Sequence, residues 1–71
     1  MQEIQQRLGE KIRKLRSEKG FSQESFADEC RLHRTYMGSI ERGERNVTLK
    51  SLRTIATALG ATVSELLNGI A

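Results

Sequence analysis

The chain has 71 residues, with 12 Lys and Arg against 9 Asp and Glu, one cysteine and no proline. That length holds one small domain over residues 1–71, whose core is marginal unless tight helix packing, self-association or both support it. The lone Cys30 excludes an internal disulfide, no Cys and His cluster offers a zinc site, and no apolar run approaches the ~18 residues of a membrane span.

The first residues, Met1 to Arg7, are polar and lack the apolar stretch of a signal peptide, which with a reduced cysteine points to a cytoplasmic protein. The first helix is predicted from about Gln2 to Lys19, with an apolar stripe of Ile4, Leu8, Ile12 and Leu15. Gly20 stops it, because glycine adopts the left-handed conformation past a helix end. Ser22 caps a short second helix that buries Phe26, Ala27 and Cys30. Arg31 and Leu32 form a turn. A third helix follows from about Arg34 to Glu41 or Arg42, with His33 near its N-cap, Met37 and Ile40 facing inward, and Gly43 as its stop.

The loop Glu44-Arg45-Asn46-Val47 leads to Thr48, the cap of a fourth helix that is expected to bury Leu49, Leu52, Ile55, Ala56 and Leu59 and to end at Gly60. Thr62-Val63-Ser64-Glu65 is a capping box, in which hydroxyl and carboxylate each satisfy a free N–H of the first turn of a fifth helix. Leu66, Leu67, Ile70 and Val63 form its apolar side. The prediction is an all-α fold of five short, capped helices.

Charge is distributed unevenly. Residues Phe21 to Cys30 carry only acids (Glu24, Asp28, Glu29), whereas Arg31 to Asn46 carry Arg31, Arg34, Arg42 and Arg45 against Glu41 and Glu44. A basic segment beside an acidic one fits a face turned to a polyanion, and equally fits an ordinary solvated surface. The arrangement of the second and third helices is more specific. Two short helices joined by a tight turn, the second rich in Arg, Thr, Tyr and Ser, form a unit that can enter a major groove ~12 Å wide and bond base edges.

The stretch Phe21-Ser22-Gln23-Glu24-Ser25-Phe26-Ala27 with Leu32-His33-Arg34-Thr35-Tyr36-Met37-Gly38-Ser39-Ile40-Glu41-Arg42-Gly43 resembles the Cro/C1-type (XRE-type) helix-turn-helix. The likeness continues from Leu52 to Gly60 and through Val63-Ser64-Glu65-Leu66-Leu67. More narrowly, Arg34-Thr35-Tyr36, Glu41-Arg42-Gly43-Glu44-Arg45-Asn46 and Thr48-Leu49-Lys50-Ser51 resemble the controller proteins of type II restriction–modification systems, small homodimers that regulate their own operon. The resemblance implies a compact, lambda-repressor-like five-helix domain. It implies a transcription regulator on a palindromic DNA operator, controlling its own promoter, with RNA polymerase as a further partner where it activates.

The same resemblance assigns roles. Arg34, Thr35, Ser39 and Tyr36 are expected at the bases, with Arg34 able to bond guanine O6 and N7; Tyr36 is equally suited to half-buried packing. Ser22, Gln23, Arg42, Arg45, Asn46, Lys50 and Ser51 are expected at the DNA backbone, with Arg45 able to reach a narrow minor groove near the operator centre. Gly38 serves close approach to DNA or tight packing. Arg16 and Glu41 are expected to form a partly buried ion pair between the first and third helices. His33 departs from the usual Ser, Thr or Asp at its cap position and is expected to be a surface residue, and Cys30 a small core residue.

Val63, Leu66, Leu67 and Ile70 exceed what a five-helix monomer needs, so a dimer interface is expected there. A twofold pair sets the two reading helices one DNA turn apart, ~34 Å. No pair of acids with a nucleophile, glycine-rich phosphate loop or metal triad is present, so no enzyme, cofactor or small-molecule ligand is expected. The alternatives are a general repressor of another operon, or an antitoxin or partner-binding module of the same fold, for which an extra wrapping segment after Ala71 would be expected.

Overall fold

The computed structural model describes residues 2–70; Met1 and Ala71, the ends of the domain expected over the whole chain, lie outside them. Five helices follow in order: α1 (Gln2–Glu18), α2 (Gln23–Glu29), α3 (Arg34–Glu41), α4 (Leu49–Ala58) and α5 (Val63–Leu67). All five were expected; Ile70, placed on the apolar side of the fifth helix, instead lies three residues past its end.

Local chemistry sets the boundaries. Ser22, His33, Thr48 and Thr62 sit in extended backbone and accept a hydrogen bond from an N–H in the first turn of α2, α3, α4 and α5. At Ser22 and Thr62 the bond is reciprocated by Ser25 and Glu65, which closes a capping box at each. His33 is therefore more than a surface residue: its Nδ1 accepts from the Thr35 N–H at 3.0 Å and caps the third helix.

The C-termini of α1 to α4 share one device. After each, one residue turns left-handed, and two backbone bonds close a Schellman motif (Leu32 N–H to Ala27 C=O at 2.9 Å and Arg31 N–H to Asp28 C=O at 3.0 Å for α2). Glycine fills the left-handed position after α1, α3 and α4. After α2 it is Arg31, with φ of 57°, the one non-glycine residue at positive φ among the described residues. The helix-turn-helix turn therefore carries a backbone strain that its sister turns lack.

One apolar cluster unites the helices. Ile12, Phe26, Met37, Ile40, Ile55 and Leu66 form its fully buried centre, with Leu8, Ala27, Cys30, Leu52, Ala56, Leu59 and Ile70 around them. α1 crosses α3 very closely. A Cβ on Gly9 would lie 2.4 Å from the Ile40 carbonyl oxygen, so a side chain there would force the helices apart. Arg7 donates to the Gly69 and Ile70 carbonyls, and Lys11 to those of Glu65 and Asn68, which ties the C-terminal segment to α1.

Several expectations are corrected. Leu49, placed in the core by pattern, is 79% exposed, because it opens α4 ahead of the turn that carries Leu52 into the cluster. Ile4 is 47% exposed, since it lies ahead of the close passage of α1 beside Gly43 at Gln6. Leu66 and Ile70, expected at a dimer interface, are 0% and 5% exposed; they close the monomer's own core and have no apolar surface to offer a second copy. Of the four residues named for that interface, half-buried Val63 and exposed Leu67 remain accessible.

Candidate nucleic-acid interface

The interface is built on how α3 is held. The Arg16 guanidinium grips Glu41 with two bonds, Nε to Oε2 at 2.7 Å and Nη2 to Oε1 at 3.1 Å, and donates a third to the Phe21 carbonyl at 2.8 Å. Gln23 Nε2 adds a bond to Glu41 Oε1 at 3.1 Å. One buried carboxylate thus joins α1, the first turn of α2 and the last turn of α3. The fork-shaped guanidinium suits this task because both donors meet both oxygens in one plane. Buried charges are tolerable here because they are paired and hydrogen-bonded, and no buried side-chain nitrogen or oxygen lacks a partner among the described residues.

Gly38 lies beneath this group. A Cβ there would stand 3.2 Å from Gln23 Oε1 and 3.1 Å from an Arg42 guanidinium nitrogen. A side chain at this position would therefore press on the ends of the Gln23 and Arg42 side chains.

The outer side of α3 starts with Arg34 and Thr35, both exposed. Arg34 Nη1 donates to Glu24 Oε2, with the two side chains 68% and 64% exposed. Tyr36 is half-buried, and the Arg45 guanidinium carbon sits 5.5 Å from its ring centre, a cation–π distance. Ser39 requires a correction. Expected at the bases, it is 7% exposed; its hydroxyl donates to the Tyr36 carbonyl at 2.7 Å and accepts from Arg45 Nε at 3.2 Å. Ser39 is spent on holding Arg45 and has no donor left for a base edge.

The other backbone-side residues fall in three places. Ser22 is the α2 cap, and its hydroxyl also meets the Ser25 hydroxyl at 2.9 Å. Exposed Arg42 pairs with Glu44 at 3.0 Å, and this hydrogen bond, then the carboxylate's charge, raises the guanidinium pKa above its usual value. In the loop, the Asn46 amide oxygen accepts from Gln5 of α1, and exposed Lys50 and half-buried Ser51 lie in the first turn of α4.

Arg31 received no role from the sequence. It lines a concavity with Glu24, Asp28, His33 and Arg34, and a second one with Lys50, Ser51 and Thr54. It thus bridges the start of α3 and the start of α4. Its position at the αL stop of α2 was the available signal, since an arginine there invites a question that glycine would not. Gln5 and Glu24 are tied to partners 41 and 10 residues away, and no local pattern announces such pairs.

Cys30 is buried, and burial, then the nearby Glu29 charge, pushes its thiol pKa up to about 11; it is a packing residue with a weak nucleophile. Among the described residues no three His, Cys, Asp or Glu side chains gather as a metal site, and no helix is long and apolar enough to cross a membrane.

Comparison with known proteins agrees with this architecture. The helix-turn-helix family model HTH_3 matches residues 12–69. The control protein C.MunI of a Mycoplasma species is 52% identical over 71 residues, covering 99% of this chain and 96% of its own length. C.BamHI of Bacillus amyloliquefaciens is 48% identical over 62 residues, covering 86% and 76%. The restriction–modification controller protein C.AhdI from Aeromonas hydrophila superposes with a TM-score of 0.83 at 44% identity, covering 86% of this chain and 92% of its own. The match takes in α2, the turn and α3 entire, and the chain belongs to the helix-turn-helix (HTH_3, XRE-type) family of DNA-binding transcription regulators, alongside the control proteins of restriction–modification systems.

Proposed function

We propose that this protein is a sequence-specific regulator that binds a palindromic operator as a homodimer and controls its own promoter together with a restriction–modification operon. The observation that carries the proposal is the contrast across α3: its inner side is locked by the Arg16–Glu41–Gln23 group, while Arg34 and Thr35 are exposed at its N-terminus, Arg34 in a solvent-open pair with Glu24. A rigid helix with adaptable polar side chains at its leading end is what base recognition in a major groove demands. Arg34 bonds a guanine edge, and Thr35 adds a hydroxyl and a methyl. Tyr36 stacks under Arg45 and aims it, and Arg45 reaches the backbone or minor groove. Ser22, Gln23, Arg42, Asn46, Lys50 and Ser51 contact phosphates.

The likeness to controller proteins supports the operon context, and no catalytic role is assigned. Of the four apolar residues expected at a dimer interface, Leu67 and Val63 are accessible for a twofold contact, which would place two α3 helices ~34 Å apart on one side of the duplex. RNA polymerase is the further partner if the bound dimer activates transcription.

The test is selection of bound sequences from a random duplex pool, with wild type and Arg34→Ala in parallel. A twofold-symmetric motif, with a guanine preference that Arg34→Ala loses, is the expected result. Salt-sensitive binding with no motif overturns the proposal and moves a partner-binding module to the front.

A further inference from the structure

Glu24 stands in the first turn of α2 and holds Arg34, the first residue of α3, across the helix-turn-helix turn. Asp28, Arg31 and His33 line the same concavity. The arginine assigned to base recognition thus has a carboxylate bonded to its guanidinium, which would be a poor arrangement for a side chain whose task was attraction to phosphate alone.

We propose that Glu24 is the specificity-determining partner of Arg34: it holds the guanidinium by one nitrogen and so favours a guanine edge over a phosphate as the second ligand. This rests on the operator reading above. Only Nη1 is engaged in the bond to Glu24. Arginine has five N–H donors in a fixed fork, so donors remain for the O6 and N7 of guanine while the carboxylate stays in place. Those acceptors belong to a neutral base. A phosphate is an anion, and taking it up would bring negative charge against Glu24 or require the bond to Glu24 to break. The carboxylate thus penalises the unwanted ligand more than the wanted one, which is how discrimination is raised without new contacts.

The experiment titrates the full-length protein by fluorescence anisotropy on three duplexes: the selected operator, the operator with its Arg34-dependent guanine pair replaced by A·T, and an unrelated sequence. The proteins are wild type, Glu24→Gln and Glu24→Asp, each checked by its thermal melt. Glu24→Gln is expected to bind the unrelated duplex more tightly, with a plot of log affinity against log salt steeper by about 0.9 per binding site, the slope of one added phosphate contact. Its preference for the guanine duplex is expected to fall at least about fivefold, the lower end of what one bidentate base contact supplies. Glu24→Asp, which retains a carboxylate, is expected to keep more of the preference than Glu24→Gln. A Glu24→Gln variant that retains the wild-type guanine preference, or one that weakens on all three duplexes alike, overturns the inference while leaving the operator reading intact. A wild type with no guanine preference overturns that reading and the inference together.

Discussion

Two Arg–Glu pairs in this small protein are chemically alike and physically opposite. Arg16–Glu41 is sealed between α1 and α3, its side chains 10% and 3% exposed; Arg34–Glu24 is open to solvent at 68% and 64%. In the interior each charge has lost its water and depends on its partner and on the bonds to Phe21 and Gln23. At the surface each is still hydrated, and the pair can exchange its bond for another at little cost. The difference teaches what burial does to a salt bridge: it turns an adaptable contact into a structural commitment. The protein uses the first kind to fix α3 and leaves the second kind at the exposed leading end of that helix, where we propose that DNA is met.

The largest expected effect breaks the buried pair on one side. Arg16→Ala or Glu41→Ala strands a charge in the core, and urea unfolding should show a loss of about 3–5 kcal/mol. For a small domain with total stability on the order of 5–15 kcal/mol, that leaves little or no folded protein near the low end. Replacing both partners by apolar residues, Arg16→Met with Glu41→Leu, should cost far less, because no charge remains to be stranded. A double variant as damaged as the singles would show that the pair's worth lies in its geometry and its bond to Gln23.

Cys30 extends the comparison to a buried ionisable group beside a like charge in place of an opposite one. Its thiol is raised from 9.0 to about 11, so the folded protein holds the proton more firmly than the unfolded chain does. The stabilisation is fully present below pH 9, declines as the unfolded thiol ionises, and is gone once pH passes about 11. The wild type should lose on the order of 2 kcal/mol across that window relative to Cys30→Ala measured alongside it. Parallel pH curves for the two proteins would contradict the assigned cause.

Much of this was legible in the chain itself. Caps and glycine stops are local signals, so all five helices could be placed from Ser22, Thr48, Thr62, Gly20, Gly43 and Gly60. Helical periodicity found most of the core for the same reason. It failed at Ile4 and Leu49, because periodicity reports which side of a helix is apolar and not how far along the helix its neighbours extend. Ser39 failed differently. Its position on α3 suggested a base contact, but its hydroxyl is claimed by Arg45 from the following loop, and a loop conformation has no period to read. The Glu24–Arg34 contact is equally non-local, fixed by the angle between α2 and α3.

A smaller effect concerns the turn between those helices. The αL position after α2 costs a side-chain-bearing residue about 1 kcal/mol that glycine avoids. Arg31→Gly should therefore raise the unfolding free energy by roughly that amount, offset by glycine's greater freedom in the unfolded chain. If the same variant also weakens DNA binding and flattens its salt dependence, the strain is retained for a charge beside Arg34 and Lys50.

The smallest effect on stability is the exposed pair itself, and it sharpens the opening contrast most directly. A double-mutant cycle on Arg34 and Glu24, with Ala at each, should give a coupling of about 0.2–1 kcal/mol in low salt. Raising the salt to about 1 M shortens the screening length to about 3 Å, and the coupling should fall towards zero. The same cycle on Arg16 and Glu41, in whatever fraction of the single variants still folds, should change little with salt, since ions do not enter a core that excludes water. A coupling at the exposed pair that survives high salt would mean that Arg34 is held by more than charge. It would then start from a fixed pose at the leading end of α3, and less of the guanine preference proposed for it would have to come from the DNA ordering it on arrival.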